Sequence, residues 1–428
     1  MQLLKNNNRK KITAATPWLM WGCGAFFYFY QFLLRVTPSN MRESLSFAFE
    51  LTASSYGGMA LFFLVSYTLM QVPSGIFLDK FGTRRTLLYS ILISSVGNLI
   101  LAISLNFPML CLGRMIIGIG CASAFCVSFK IAYDWFSPQA LPKIVGITCA
   151  IGVAGASFAG APIVMLEELL GWRNTFAILA LVGVLTFIFY YLYFEDKYPT
   201  ENSNRPKLIH GLRSILSNSQ IWLLGAYGLA LYTPVSVLAD LWGPSFVKET
   251  FGTTSVKAAF ITSFLFYGNA VGSFLIGWIM HRFISLRAFF LFFSISLGLV
   301  LIYTVWGYIP NTSVLFCLFF SLGFFTSPEG MIFPLGARLV QKEYVALTSS
   351  ILNFYVTAGA MFMQPLIGVI LDFFWNGEFK DGIPYYSVHN YKYSLTALII
   401  WLSISVSVAF WIRGRTKEEE SPIDQNSA

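Results

Sequence analysis

The sequence predicts an all-α membrane protein with twelve transmembrane helices in two six-helix halves, and three observations carry that reading. Hydrophobic residues make up 56% of the 428-residue chain and charged residues only 11%, against about 25% charged in soluble domains. Twelve apolar runs are each long enough to cross a hydrocarbon core, which takes about 20 residues in a helix. A weak internal repeat relates the first six runs to the last six. A water-soluble enzyme is excluded. The net charge of +8 sits in short clusters between the runs, so no basic face exists for a nucleic acid. Three His and six Cys occur without metal-ligand spacing, and neither disulfides, metal nor cofactor is expected.

The runs cover residues 17–41, 55–77, 86–105, 108–134, 142–166, 173–194, 219–243, 258–280, 287–308, 312–337, 346–372 and 393–412. They are read as helices because an isolated strand cannot satisfy its backbone in lipid. The first run lacks a small-residue cleavage site and is retained as helix 1. With the N-terminus in the cytoplasm, inner loops and tails hold 19 of the 28 Lys and Arg, outer loops hold 6, and Arg35, Arg114 and Lys130 lie within helices. This bias puts both termini in the cytoplasm. The expected organisation is a tail (1–16), a six-helix half (17–194), a central cytoplasmic loop (195–218), a second half (219–412) and a tail (413–428). Gly75-x-x-x-Asp79 recurs as Gly277-x-x-x-His281 at an offset of 202, Pro162 as Pro365 at 203, and Pro38-Ser39 as Pro244-Ser245 at 206. Agreement among these offsets argues for two homologous halves related by an axis along the membrane normal.

Between helices 2 and 3 the chain reads Gly75-Ile-Phe-Leu-Asp79-Lys80-Phe81-Gly82-Thr83-Arg84-Arg85. Gly75 permits close helix packing, Gly82 permits a tight turn, and Asp79 can pair with Arg84, Arg85 or a helix N-terminus. Such a group is suited to a latch on the cytoplasmic side. Helix 4 adds Arg114-Met-Ile-Ile-Gly118-Ile-Gly120, helix 7 ends in Trp242-Gly-Pro244, and Gly171-Trp172-Arg173 precedes helix 6. Together these patterns resemble the major facilitator superfamily over nearly the whole chain. The resemblance implies the major facilitator fold and gating roles for Gly75, Asp79, Gly82, Arg84, Arg85 and Arg114. Within that superfamily, Phe29 to Ser39 resembles helix 1 of organic-anion symporters and of phagosomal nutrient carriers of intracellular bacteria, which implies that Arg35 faces the substrate. The anion symporters usually carry an acid seven residues after the helix 4 Arg. This chain has Cys121 there.

Ionisable groups inside a membrane cost several kcal/mol unless paired or hydrated, and so they point to function. Arg35 and Lys130 lie in the first half, Asp240 and Glu329 in the second. Under the repeat, Arg35 maps beside Asp240 and Glu329 maps one turn from Lys130, so cations and anions face each other across the halves. Substrate-binding roles are assigned to Arg35, Lys130, Asp240, Tyr30 and Gln31, and proton-coupling roles to Glu329 and Asp240. Two bland readings stay open: Lys130 paired with Asp134 at i+4, and Asp240 solvated at the outer end of helix 7.

These features point to a secondary active transporter that imports a small polar nutrient, an amino acid foremost, with protons, and that works as a monomer. The alternatives are an organic-anion or ferric-siderophore carrier, a drug efflux pump, and a non-transporting receptor on the same scaffold. Phosphate-binding loops and paired nucleophiles are missing from the sequence, which argues against ATP-driven transport and catalysis.

Overall fold

A computed structural model describes residues 15–137, 139–197, 208–280, 283, 285–341 and 344–412. The chain is nearly all helical. The main helices are α1 (Thr16–Val36), α2 (Ala53–Leu69 continuing as Gln71–Phe81), α3 (Thr83–Ala102), α4 (Phe107–Trp135), α5 (Lys143–Leu170), α6 (Trp172–Tyr193), α7 (Ser219–Phe251), α8 (Ser255–Met280), α9 (Leu286–Trp306), α10 (Thr312–Ala337), α11 (Val345–Phe373) and α12 (Val388–Ala409). Short helices Arg42–Phe49 and Leu208–Leu216 and a small hairpin, β1 (Phe379–Lys380) with β2 (Ile383–Pro384), lie between them.

Ten of these helices are long and apolar enough to cross a membrane, and α2, bent by 42°, makes an eleventh. α1 has the length, 21 residues, but falls outside that set because Gln31 and Arg35 interrupt its apolar run. The expected twelfth span is therefore the helix that carries polar groups in its last two turns.

Local chemistry sets the ends. Thr52, Asn106, Ser285, Asn311 and Ser387 each accept a backbone N–H from the first turn of α2, α4, α9, α10 and α12, which satisfies donors that a helix start leaves open. Gly82 (φ 83°) and Gly171 (φ 79°) separate α2 from α3 and α5 from α6, in backbone conformations that side chains resist. Large apolar residues such as Leu185, Phe274, Leu299 and Ile400 stay exposed on the outside, where lipid replaces water as the solvent.

The two six-helix groups meet mainly through α2 against α11 and α5 against α8. Close approach is built in: a Cβ on Gly368 would lie 2.4 Å from the Ala53 carbonyl oxygen, and one on Gly57 would lie 3.0 Å from Pro365 Cα. Both contacts are on the face opposite to that where α1 begins and α12 ends. The latter is called the terminal face below.

Candidate functional site

Helices α1, α7 and α10 each lose regular α geometry where they carry charge. α1 passes into a 3₁₀ turn at Thr37–Met41 just after Arg35, α7 widens into a π turn at Leu238–Trp242 around Asp240, and α10 tightens into a 3₁₀ turn at Ser327–Met331 around Glu329. Such interruptions recur at functional positions because they re-aim side chains and free backbone groups. Pro38, Pro234 and Pro328 accompany them, each removing a backbone donor.

Arg35 and Asp240 meet directly across the halves. Arg35 Nε donates to Asp240 Oδ2 at 2.8 Å, its Nη2 donates to the same oxygen and, at 3.1 Å, to Ser236 Oγ. Ser236 Oγ in turn donates to Asp240 Oδ2 at 2.7 Å, and Gln364 of α11 donates to the Ser236 carbonyl at 2.8 Å. Both side chains are buried. The guanidinium also lies 5.9 Å from the Phe32 ring centre and 5.8 Å from that of Tyr232. The other Asp240 oxygen, Oδ1, is buried with no hydrogen-bond partner.

Glu329 stands apart from this cluster but within the field of Arg35. It is partly exposed, and among the described residues no hydrogen bond or ion pair holds its carboxylate. Cys149 of α5 interacts electrostatically with Glu329 and with Tyr28, yet it is exposed. The space between α5 and α10 where Cys149 and Glu329 approach one another from the two halves is called the hollow below. Tyr28, Tyr67 and Tyr232 border it from α1, α2 and α7, each in the field of Arg35.

Arg114 of α4 lies beside the Arg35–Asp240 pair. It is 3% exposed. Its Nη1 donates to the Leu34 carbonyl at 3.2 Å, its guanidinium covers the Phe63 ring at 4.5 Å, and its Nε is unpartnered. Arg35, Arg114, Asp240 and Gln364 line one small void.

The remaining sequence candidates are placed elsewhere. Tyr30 points away from the hollow: its hydroxyl donates to the Leu179 carbonyl of α6 at 2.7 Å, because residue 30 lies on the reverse face of α1 from Tyr28 and Arg35. Lys130 is held by Asp134 one turn on, at 2.6 and 2.8 Å, so the local pairing accounts for its charge. Gln31 is fully buried, one turn before Arg35, with both side-chain polar atoms unpartnered. In the signature loop, Gly82 makes the turn, but a Cβ on Gly75 would meet nothing within 4 Å, so the close packing expected there is not formed. Arg84 donates from its backbone to Asp196 at 2.9 Å and from Nη2 to the Tyr191 carbonyl at 2.6 Å. Burial raises the Asp196 carboxyl above the ordinary range, against the lowering effect of that backbone donor. Arg85 is exposed. The side chain of Asp79 lies outside the described residues.

Sequence reasoning missed a seal at the opposite face. Asp372, at the end of α11, accepts the Ala53 and Ser54 backbone N–H groups at 3.0 and 2.8 Å, and Tyr386 joins them. Arg42 donates to the Tyr391 hydroxyl at 2.7 Å, and Lys248 pairs with Glu43. The deepest bond between the halves is Thr68 to Thr357 at 3.0 Å; among the described residues, none is found nearer the terminal face. The signal was available in Gly368-x-x-x-Asp372, which repeats the spacing of Gly75-x-x-x-Asp79.

The sequence pattern of the Major Facilitator Superfamily matches residues 20–364. The chain belongs to that superfamily. Proteins similar to it include the D-galactonate transporter of Escherichia coli O6:H1, 24% identical over 368 residues that cover 79% of this chain and 84% of that one. The probable galactarate/D-glucarate transporter GarP of Escherichia coli K12 is also 24% identical, with the same shares covered. Among solved structures, a bacterial homolog of the lysosomal transporter Spinster, inward-facing and occupied, superposes with a TM-score of 0.74 at 16% identity over 94% of this chain and 97% of that one. The nucleoside transporter NupG gives 0.70 at 13% identity over 92% and 98%. The fold is thus that of a secondary transporter of the Major Facilitator Superfamily, a multi-pass membrane protein.

Proposed function

We propose that the chain imports a small organic anion into a bacterial cell, coupled to protons, by alternating access with its terminal face in the cytoplasm. The carrying observation is the Arg35–Asp240 pair: a buried guanidinium already holding a carboxylate between the halves. A substrate carboxylate reaching the hollow can compete for the same fork, and Arg suits planar oxyanions better than Lys does. Relatives named for galactonate, galactarate or glucarate, and hexuronate support an organic acid over the amino acid that the sequence put first. Glu329 supports the proton role, since a carboxyl without a partner beside a transport path can take and release one. The excess of Lys and Arg in the loops of one side supports the orientation.

The same Glu329 supports a second reading. A zwitterionic amino acid would place its carboxylate on Arg35 and its ammonium on Glu329. Uptake by the purified chain in proteoliposomes, with acid outside, separates the two. Radiolabelled gluconate is expected to accumulate and alanine is not; the reverse result returns the assignment to amino acids, and no uptake of either rejects both.

A further inference from the structure

We propose that one buried water molecule joins Arg114 to Asp240, and that through it Arg114 positions the carboxylate that holds Arg35. Two orphaned atoms carry this. Asp240 Oδ2 takes three donors, Arg35 Nε, Arg35 Nη2 and Ser236 Oγ, while Oδ1 is buried and takes none, although a carboxylate can accept about four bonds. Arg114 Nε is a buried donor without an acceptor. Donor and acceptor belong to residues that line the same void, and each is costly when left unmet. The void leaves about 10 Å³ for the centre of a water molecule, close to the least that one water needs and too little for a substrate carboxylate. Ser39 lines it as well; its hydroxyl donates to the Val36 carbonyl at 2.7 Å, so its oxygen can accept. A water that accepts from Arg114 Nε and donates to Asp240 Oδ1 and Ser39 Oγ has three partners, the usual number for a buried water.

The other groups around Arg114 do not replace this partner. Tyr56 gives its hydroxyl proton to the Pro38 carbonyl at 2.5 Å, Cys121 pairs with Ser94 at 3.7 Å, and Arg42, which acts on Tyr56 from its other side, has the same charge as Arg114 and is held by the Tyr391 hydroxyl. Asp240 is the carboxylate in the field of Arg114. The bridge thus ties α1 and α4 of the first half to α7 of the second through one carboxylate, with Arg35 on one oxygen and Arg114 on the other. A consequence follows that rests on the reading of the chain as an anion importer. When a substrate carboxylate takes the Arg35 fork, Asp240 keeps Arg114 through the water and is not left as an uncompensated buried charge. Arg114 is then the counter-charge that allows Arg35 to change partners.

An experimental structure of the full chain that shows ordered waters is expected to hold one in this void, within about 3.2 Å of both Arg114 Nε and Asp240 Oδ1. An empty void, or Arg114 bonded directly to Asp240, overturns the bridge and leaves the anion reading intact. Thermal unfolding in detergent gives a second readout. Arg114→Gln is expected to lower the midpoint in the parent chain and to lower it less, or raise it, in an Asp240→Asn background, because the two residues share one interaction. Equal losses in both backgrounds would mean that Arg114 acts only through Leu34 and Phe63. Gluconate titration tests the change of partners: Arg114→Gln is expected to weaken binding by about tenfold or more, and adding Asp240→Asn to restore it to within a few fold of the parent. A double variant as weak as the single one would show that Arg114 does not act through Asp240. If the parent binds no gluconate, the anion reading fails and the change of partners with it, while the ordered water and the unfolding midpoints decide the bridge on their own.

Discussion

Arg35 and Asp240 are each other's main compensation for burial, and either charge left alone would be costly. Arg35→Lys keeps the charge but loses the fork, removing charge-assisted bonds worth about 1.5–3 kcal/mol. Anion binding is therefore expected to weaken by about 10- to 100-fold, measured by titration in detergent. Glu329→Gln keeps the shape and fixes a neutral state. It is expected to abolish accumulation driven by a pH gradient while retaining exchange between equally loaded compartments, measured with labelled substrate on one side. Tyr30→Phe is a contrast: it removes the hydroxyl's bonds to Leu179 and Ser95, both within the first half, so a stability loss of about 1–2 kcal/mol with unchanged affinity is expected from thermal unfolding and binding. The ionisable residues worth examining were legible in the sequence, because lipid makes each one expensive. Which of them cooperate was not. Lys130 and Asp134 form an ordinary helix pair, and the orientation of Tyr30 depends on where the cavity face of α1 falls.

At the level of helices, α2 and α11 form the joint that closes the opposite face. Asp372 caps the first turn of α2 with two charge-assisted bonds, and Gly368 lets the backbones touch. Asp372→Asn is expected to weaken this closed state by about 1–3 kcal/mol. In a Cys149→Ser, Cys317→Ser background, a cysteine at buried Ser39 should then react faster with a membrane-impermeant thiol reagent applied from the opposite face. Gly368→Ala is expected to act the same way; unchanged labelling in both variants would show that the joint does not control access. The spans themselves were legible to within a few residues because apolar length is a strong signal. The exceptions have local causes. α1 stops at Val36, five residues short of the run's end, where Thr37–Met41 tightens before the short helix Arg42–Phe49. α7 continues to Phe251, past the apolar run, because Gly243–Phe251 stays helical after Pro244. The π turn at Asp240 has no clear periodic signature, though Pro234 one turn and a half earlier hints at it.

Taken whole, the molecule carries two similar latches at opposite ends of the same helix pair. Gly368-x-x-x-Asp372 ends α11 at the opposite face, where it is engaged, and Gly75-x-x-x-Asp79 ends α2 at the terminal face, where Gly75 has no neighbour. Breaking the second is expected to do the reverse of breaking the first: Asp79→Asn should lower labelling at position 39 and slow uptake, with substrate affinity kept within a few fold. Equal shifts in one direction would show that the two ends are not mechanically linked. α1 adds a different constraint, which concerns how the chain is made. α1 carries Gln31 and Arg35 in its last two turns, and an Arg in a span disfavours insertion, by about 2.5–3.5 kcal/mol at a helix centre on translocon scales and by less toward an end. The partner that compensates Arg35, Asp240, is made some 200 residues later. Arg35→Leu combined with Asp240→Asn, so that no buried carboxylate is left alone, should ease insertion of α1 and raise the yield of membrane-integrated protein even as it ends transport, so the same guanidinium that serves the mature carrier burdens its assembly.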